Sequence, residues 1–481
     1  MSTVQRIAKN TTLLLVSRLI NVVLASFFII YTARYLGAEG YGILSFALAF
    51  VTIFSILMDF GLSKLTVREV AKDRSLAGKY MGNTVIMKLI LIAATFGLIA
   101  ITINLLGYPE QTITLVYLIG LSVGLDSFSV IFYSIFEAYE KMENESLGRI
   151  IRDAILLVGT LFAVSQGFNV VGFGFAYLFA GLITLGYNFA ICTLRIAKLK
   201  VEIDWEFWKS TSKEAFSFGL TGFFVTIYYW VDSVVLSIMK GDLIVGWYGA
   251  AFRLITILLF IPAILNVSIF PVMSRFYVSS EDHLRFAYER YFKYMTVLGL
   301  PIGVGVTLLA DRIIQLIFGI EYMSSIIALQ ILVWSGVFIF MGGAFGRLLE
   351  SSNRQKTIAK ITGCSMVLNV ILNLILIPGF SYIGTSVTKI ITELTVLILL
   401  ATVCSSIGYG LSKNNLVNLM KAIIATLPMI VVLVFLKDLN LILLILLAAV
   451  VYLLALFLLR VIDNEDLRIF RTILRKGGDQ T

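Results

Sequence analysis

The sequence predicts an all-α integral membrane protein with about fourteen transmembrane helices, built as two pseudo-symmetric halves of six helices plus two C-terminal helices. Three observations predict this fold. Hydrophobic residues make up 59% of the 481 residues and charged residues only 14%, with a mean hydropathy of +0.96. Apolar stretches of about 20 residues, the length of a bilayer-spanning helix, recur along the whole chain. An internal repeat divides these stretches into two sets.

Hydropathy places the predicted spans in a regular series with short loops between them. In chain order they lie at 11–33, 42–60, 81–105, 112–138, 150–167, 171–193, 215–239, 246–272, 292–310, 324–345, 358–378, 383–408, 421–436 and 440–460. Arg6 and Lys9 precede the first span, which has no clear cleavage site, so we expect a retained helix rather than a signal peptide. The loops are too short for an extramembrane catalytic or nucleotide-binding domain.

The 38 Lys and Arg residues indicate how the spans are oriented. With the N-terminus in the cytoplasm, most of them fall in inner segments, as the positive-inside rule requires. The exceptions are four in outer segments and four that lie deep within spans rather than at their inner ends: Arg34, Lys240, Arg312, Lys437, and Arg18, Lys88, Arg253, Lys389. We therefore predict an inner-membrane protein with both termini in the cytoplasm. The net charge of +9 then reflects topology, and no nucleic-acid partner is predicted.

The internal repeat joins the first and second span of each half. The segment from Gly37 to Gly42 corresponds to the segment from Gly241 to Gly246, about two hundred residues later. Because each half has an even number of spans, the halves enter the membrane from the same side, and transporters of this design bind cargo between them. We predict lobes at 1–200 and 201–410, followed by two helices and a basic tail at 411–481.

Four basic residues within the spans are the strongest functional signal, because a charge at that depth is costly and usually faces a polar cavity. Arg18 and Arg253 have no acidic residue one helical turn away, and guanidinium suits bidentate binding of phosphate. Lys88 is near enough to the inner surface to snorkel instead. Lys389 lies one turn from Glu393, so the two can pair.

Polar side chains also lie within the spans, some on the spans that carry these bases and some on others. The candidates for cavity lining or for coupling to a proton or sodium ion are Asn21, Asp126, Asp232, Asn369, Asn373 and Glu393. Ser, Thr and Asn also hold membrane helices together, which is the alternative interpretation of the uncharged residues. Three scattered cysteines and one loop histidine give no metal site, and no phosphate-binding loop is present, so no cofactor is predicted.

Several motifs, in order along the whole chain, resemble the polysaccharide-biosynthesis flippases of the Wzx type. The motifs are the run from Ala33 to Gly42, Arg18 in the first span, Asp59-Phe60-Gly61-Leu62 after the second, Asp232 ahead of Gly241, and the stretch Leu372 to Glu393 with Asn373, Pro378 and Gly384. One departure is Lys389, which replaces a threonine usual in the family. No family role carries over to it, and it is a candidate for substrate choice.

The resemblance implies the multidrug/oligosaccharidyl-lipid/polysaccharide exporter superfamily, with two six-helix bundles around a central cavity. It implies transport of an undecaprenyl- or dolichyl-diphosphate-linked oligosaccharide, such as an O-antigen repeat unit, by alternating access and without enzymatic chemistry. Arg18 and Arg253 would hold the diphosphate, with Lys88 and Lys389 assisting, and spans 13 and 14 would take the lipid tail. Polymerases and glycosyltransferases are the expected protein partners. The alternatives are a cation-coupled drug exporter of the same fold and a membrane polymerase or glycosyltransferase.

Overall fold

The computed structural model describes residues 3–200, 202–463 and 466, and in this part of the chain every regular element is helical. Two short 3₁₀ turns lie at Arg74–Leu76 and Ile320–Tyr322. The α-helices are α1 (Thr3–Asp59), α2 (Leu62–Lys72), α3 (Ala77–Leu105), α4 (Glu110–Ala138), α5 (Met142–Ser165), α6 (Val170–Arg195), α7 (Trp205–Lys240), α8 (Asp242–Leu258), α9 (Phe260–Ser279), α10 (Glu281–Ile317), α11 (Ser325–Ser351), α12 (Gln355–Ser406), α13 (Lys413–Phe435) and α14 (Leu441–Leu458).

Every predicted span has a helical counterpart, although α2 matches no span and the span at 246–272 is divided between α8 and α9. Eleven helical stretches among the described residues are long and apolar enough to cross a membrane. Two of these, in α1 and α12, contain a non-helical residue and each covers two predicted spans. The remaining predicted span is α5, whose first half carries several charges. The prediction of an all-α membrane fold with about fourteen spans is therefore confirmed, and the chain is a multi-pass membrane protein.

Sequence explains both interruptions. Gly37 has φ 67°, a left-handed conformation that glycine adopts at little cost, and an added Cβ would lie 2.7 Å from Glu321 Oε2. Ser381 has φ 53° in α12, and Pro378, three residues earlier, lacks the N–H that would bond back to the preceding turn, so the helix is already weakened just before the break. These breaks coincide with the boundaries predicted between spans 1 and 2 and between spans 11 and 12.

Polar side chains set the starts of several helices. Asn169 accepts a hydrogen bond from the backbone N–H of Val171 at the start of α6, and Asp204 accepts one from Phe207 at the start of α7. Such caps satisfy backbone donors that lack a partner in the first turn. Asp204 also forms an ion pair of 2.6 Å with Lys79 at the start of α3, which fixes where α7 begins.

The chain forms two compact units. The first contains Met1–Ala250, Phe318–Tyr322 and Thr362–Thr385, and within it α7 packs against α1. The second contains Ala251–Ile317, Met323–Ile361 and Ser386–Thr481, and within it α10 packs against α11 and α13. These units follow packing rather than the repeat, so the lobes predicted at 1–200, 201–410 and 411–481 stay a prediction.

The two repeated glycine segments contact each other within the first unit. A Cβ added to Gly42 would lie 1.8 Å from the carbonyl oxygen of Asp242, and one added to Gly246 would lie 1.8 Å from that of Ala38. These are backbone atoms, so the overlap cannot be relieved by a side-chain rotation. The close approach explains why both segments have glycine at these equivalent positions.

Candidate functional site

Within the part of the chain that the structure describes, the two arginines predicted to bind phosphate, Arg18 and Arg253, are not paired with carboxylates. Arg18 is exposed on α1 and Arg253 is half-buried on α8. Neither guanidinium has an ion-pair or hydrogen-bond partner among the residues that the structure describes. Each therefore keeps its donors available for an anionic group. Their role in binding substrate stays a prediction.

Lys88 is fully buried and neutralised by Asp59. Its Nζ lies 2.6 Å from Asp59 Oδ1 and donates to the carbonyl oxygen of Ser127 at 2.7 Å and to Ser63 Oγ at 3.2 Å. The snorkelling alternative is wrong, because none of the side chain reaches the surface. Any part for Lys88 in substrate binding stays a prediction. The ion pair joins the end of the second span to α3.

Replacing Lys88 with methionine is expected to lower the melting temperature in detergent. Breaking a buried ion pair by removing one partner costs about 3–5 kcal/mol. We expect less here, because the Asp59 side chain remains 27% exposed. The double variant Asp59→Asn, Lys88→Met is the control and should recover most of the loss. An equal loss in the single and double variants would contradict the pairing.

Three of the predicted polar residues come together around Asp232, which is buried. Asn373 Nδ2 donates to Asp232 Oδ1 at 2.7 Å and to Asn369 Oδ1 at 3.1 Å. Tyr248 Oη donates to Asp232 Oδ2 at 3.1 Å. Sequence reasoning missed Tyr248, although it lies two residues after the repeated glycine segment. The cluster holds a carboxylate among neutral donors deep in the first unit.

Lys389 and Glu393 are also buried, one turn apart on the second half of α12. The Lys389 ammonium lies 5.8 Å from the ring centroid of Phe252, within the range of a cation–π contact. Phe252 is the neighbour of Arg253 on α8. Lys389 therefore contacts the helix that carries Arg253, within the second unit. The pairing of Lys389 with Glu393 stays a prediction.

Asp126 is held by Arg152, a residue near the start of the fifth predicted span that sequence reasoning did not single out. Arg152 Nε donates to Asp126 Oδ1 at 2.9 Å and Nη2 to Oδ2 at 2.5 Å, a bidentate pair between α5 and α4. The helix α5 begins at Met142, earlier than predicted, and brings Arg149 and Arg152 onto one face. This i, i+3 spacing was the signal in the sequence. Asn21 and Asp126 line the same cavity of about 240 Å³.

An apolar groove of about 360 Å³ lies between α10, α13 and α14. Pro301 and Gly305 of α10, Met429 of α13 and Leu453 of α14 are among its lining residues. Tyr452 donates from its hydroxyl to the carbonyl oxygen of Val297 at 2.9 Å and ties α14 to α10. The groove has the apolar character that a prenyl chain needs, and its use as a tail site stays a prediction.

A charged cluster, here called the tail clasp, fastens the segment after α14 to α10. Arg290 Nη1 lies 2.5 Å from Asp463 Oδ2 and 2.7 Å from Asp466 Oδ1. Lys293 Nζ lies 2.6 Å from Asp466 Oδ2, and Tyr294 Oη donates to Asp466 Oδ1 at 2.7 Å. The clasp fixes the end of α14 and so the wall of the groove.

The tail clasp is expected to hold from neutral to mildly acidic pH. Burial raises the pKa of Asp463, but the backbone N–H of Asp466 and the cations Arg290 and Lys293 outweigh it and hold that pKa below its usual value. A lowered folded-state pKa stabilises the fold above the unfolded value of about 3.9 and loses this effect as pH falls through the folded-state value. The difference in melting temperature between wild type and Asp463→Asn should therefore be equal at pH 7 and pH 5. A difference that shrinks in that interval would contradict the assignment.

Comparison with known proteins gives a consistent set of matches. A family model described as "Polysaccharide biosynthesis protein" matches residues 7–277, and the MatE model matches residues 218–375. The probable low-salt glycan biosynthesis flippase Agl15 of Haloferax volcanii is 24% identical over 383 residues, which cover 79% of this chain and 80% of that protein. The putative O-antigen transporter of Escherichia coli K12 is 22% identical over 371 residues, which cover 76% and 88%.

A solved structure has the same fold over nearly the whole chain. The lipid II flippase MurJ in an inward closed conformation superposes with a TM-score of 0.75 and covers 94% of this chain and 98% of its own. At 16% identity this likeness shows the fold alone. It agrees with the all-α membrane fold described above.

Proposed function

Because this chain belongs to the polysaccharide biosynthesis protein family, we propose that it is a flippase for a polyprenyl-diphosphate-linked oligosaccharide. The substrate would be the repeat unit of O-antigen or another surface polysaccharide, carried on undecaprenyl or dolichyl diphosphate. The observation that carries the proposal is the family match over residues 7–277, more than half of the chain. Two relatives named as a glycan biosynthesis flippase and an O-antigen transporter support it.

The protein would have to move a charged, hydrated head group through a bilayer, with no covalent step. The diphosphate needs charge-assisted donors to replace its water, and the guanidinium groups of Arg18 and Arg253 suit that task. The prenyl chain stays in lipid or in the groove beside α14. Alternating access, as in other transporters built from repeated halves, would then expose the head group on the other side.

The finer parts of the proposal follow from charge distribution. The excess of Lys and Arg in alternate loops supports a cytoplasmic membrane location with both termini inside. A proton or sodium ion is the proposed driving ion, with Asp232 and Glu393 as candidate carriers. A glycosyltransferase must supply such a substrate and a polymerase or ligase must consume it, which makes these enzymes the proposed partners.

A drug exporter of the same fold is the second candidate, because the MatE model matches residues 218–375. A cationic drug requires carboxylates that are free to contact it. Asp126 is engaged by Arg152 and Asp232 is buried with hydrogen bonds from Asn373 and Tyr248, whereas Arg18 is exposed without an acidic partner among the described residues. This balance of charge favours an anionic substrate.

Deletion of the gene in its source organism tests the proposal. We expect loss of a surface glycan and accumulation of its lipid-linked precursor, both reversed by the wild-type gene, with unchanged resistance to cationic drugs. An unchanged surface glycan together with lowered drug resistance would favour the exporter instead.

A further inference from the structure

A polar cavity of about 240 Å³ within the first unit has not been assigned a ligand. It lies between α1, α4 and α5, and its polar lining includes Asn21, Asp126, Ser129, Tyr133, Arg149 and Arg152. The Asp126 and Arg152 side chains remain 23% and 25% exposed, so the cavity is open to solvent. The guanidinium of Arg149 stacks on the ring of Tyr133 at 4.8 Å, which fixes its orientation.

The charges of the lining balance one another. Arg152 is matched by Asp126 and Asp153, and Arg149 is matched by Glu145, whose carboxylate lies 2.8 Å from Arg149 Nη2. The Asp126–Arg152 pair is bidentate, so the charge of each is met at short range. A diphosphate that entered this cavity would lose its hydrating water without finding an unpaired cation to compensate its negative charge, so its binding would be unfavourable. The cavity therefore suits a neutral, strongly hydrogen-bonding group.

Two lining atoms are buried without a hydrogen-bond partner among the described residues. They are Asn21 Oδ1 and Ser129 Oγ, and the Ser129 residue is only 1% exposed. A buried polar atom without a partner is destabilising, and a hydrogen bond from a ligand would offset that cost. An amide oxygen accepts hydrogen bonds, while a serine hydroxyl both accepts and donates them. Sugar hydroxyls also donate and accept hydrogen bonds, so they could bond to both Asn21 Oδ1 and Ser129 Oγ.

We propose that this cavity binds one sugar ring of the transported glycan. The proposal rests on the flippase function and gives the sugar a site separate from the arginines proposed for the diphosphate. The cavity is smaller than the roughly 300–1,000 Å³ of pockets for drug-sized ligands, so it suits a single ring rather than an oligosaccharide. Carboxylate, amide and guanidinium groups around one ring would distinguish sugars by the positions of their hydroxyls.

Binding of simple glycosides to the full chain in lipid nanodiscs tests this site. The probes are methyl glycosides of hexoses and N-acetylhexosamines, titrated by saturation-transfer difference NMR. At least one glycoside should bind, and Ser129→Ala should weaken it by about tenfold, the effect of about 1.4 kcal/mol from one lost hydrogen bond. Asn21→Ala should act in the same direction. Inorganic pyrophosphate should not displace the glycoside.

The matched control is Ser134→Ala, one turn along α4. Ser134 Oγ donates to the carbonyl oxygen of Val130, outside the proposed sugar contacts, so glycoside affinity should not change. Ser129→Ala should leave the melting temperature unchanged or raise it, because it removes an unpaired buried hydroxyl. The proposal is overturned if no glycoside binds up to its solubility limit or if pyrophosphate displaces the glycoside. It is also overturned if Ser129→Ala has the same glycoside affinity as Ser134→Ala, or if Ser129→Ala lowers the melting temperature.

Transport measured on the same proteins separates this inference from the function itself. If glycosides bind as expected but no lipid-linked glycan is moved, the flippase function fails and the sugar site stands. If lipid-linked glycan is moved at wild-type rates by Ser129→Ala and Asn21→Ala, with no glycoside binding, the sugar site fails and the function stands.

Discussion

Replacing Gly42 with alanine is expected to abolish transport while the protein still inserts into the membrane. The added Cβ would lie 1.8 Å from the carbonyl oxygen of Asp242 and 2.9 Å from the backbone nitrogen of Gly246. Overpacking typically costs about 1–3 kcal/mol, so the contact between the repeated segments would be disfavoured by roughly fivefold or more. If the transport cycle includes a state in which the two repeated glycine segments are in contact, the variant would not reach that state and transport would stop.

The measurement is the transport rate in proteoliposomes together with the amount of inserted protein. Gly246→Ala should have the same effect, because its Cβ meets the carbonyl oxygen of Ala38 at the same distance. Gly97→Ala is the matched control, since a Cβ on that residue of α3 meets nothing within 4 Å. Wild-type transport by the Gly42 and Gly246 variants would show that the contact is not part of the cycle.

Alanine at Arg18 or at Arg253 is expected to reduce glycan transport by at least about tenfold, because each loses a charge-assisted bond to the diphosphate worth about 1.5–3 kcal/mol. Insertion and melting temperature should be unaffected, since neither guanidinium has a partner among the described residues. Lysine at either position should restore only part of the rate, because an ammonium keeps the charge but not the bidentate geometry.

The control for these arginines is Arg74→Ala, which removes an exposed cation near the start of α3. It should transport at the wild-type rate, so a loss there would point to a general effect of surface charge. Wild-type transport by both Arg18→Ala and Arg253→Ala would remove the arginines from the substrate site.

Most of the fold was predictable because it depends on local properties of the chain. A stretch of about 20 apolar residues can be recognised in the sequence as a membrane-spanning helix without knowledge of its neighbours. The interruptions of α1 and α12 follow from Gly37 and Pro378, whose backbone preferences do not depend on neighbours. The start of α5 was placed too late, because the charges on its first turns are typical of a loop in a membrane protein.

The candidate site was less predictable because its partners are distant in sequence. The one-turn search that found Glu393 near Lys389 could not find Asp59 for Lys88 or Arg152 for Asp126, since each pair joins two helices. Asn373 and Asp232 were each identified, yet their contact across 141 positions appears only in the structure. Sequence therefore identified several of the buried polar residues, including Lys88, Asp232 and Lys389, and packing decided which residues neutralise one another.

The most direct test of the flippase function uses the purified wild-type chain in proteoliposomes. The probe is a fluorescent undecaprenyl-diphosphate-linked N-acetylhexosamine, and a membrane-impermeant quencher reports which leaflet holds it. We predict that the quenched fraction rises above that of protein-free liposomes and that a cationic dye is not moved. A quenched fraction equal to that of protein-free liposomes, with or without movement of the dye, would contradict the proposed function.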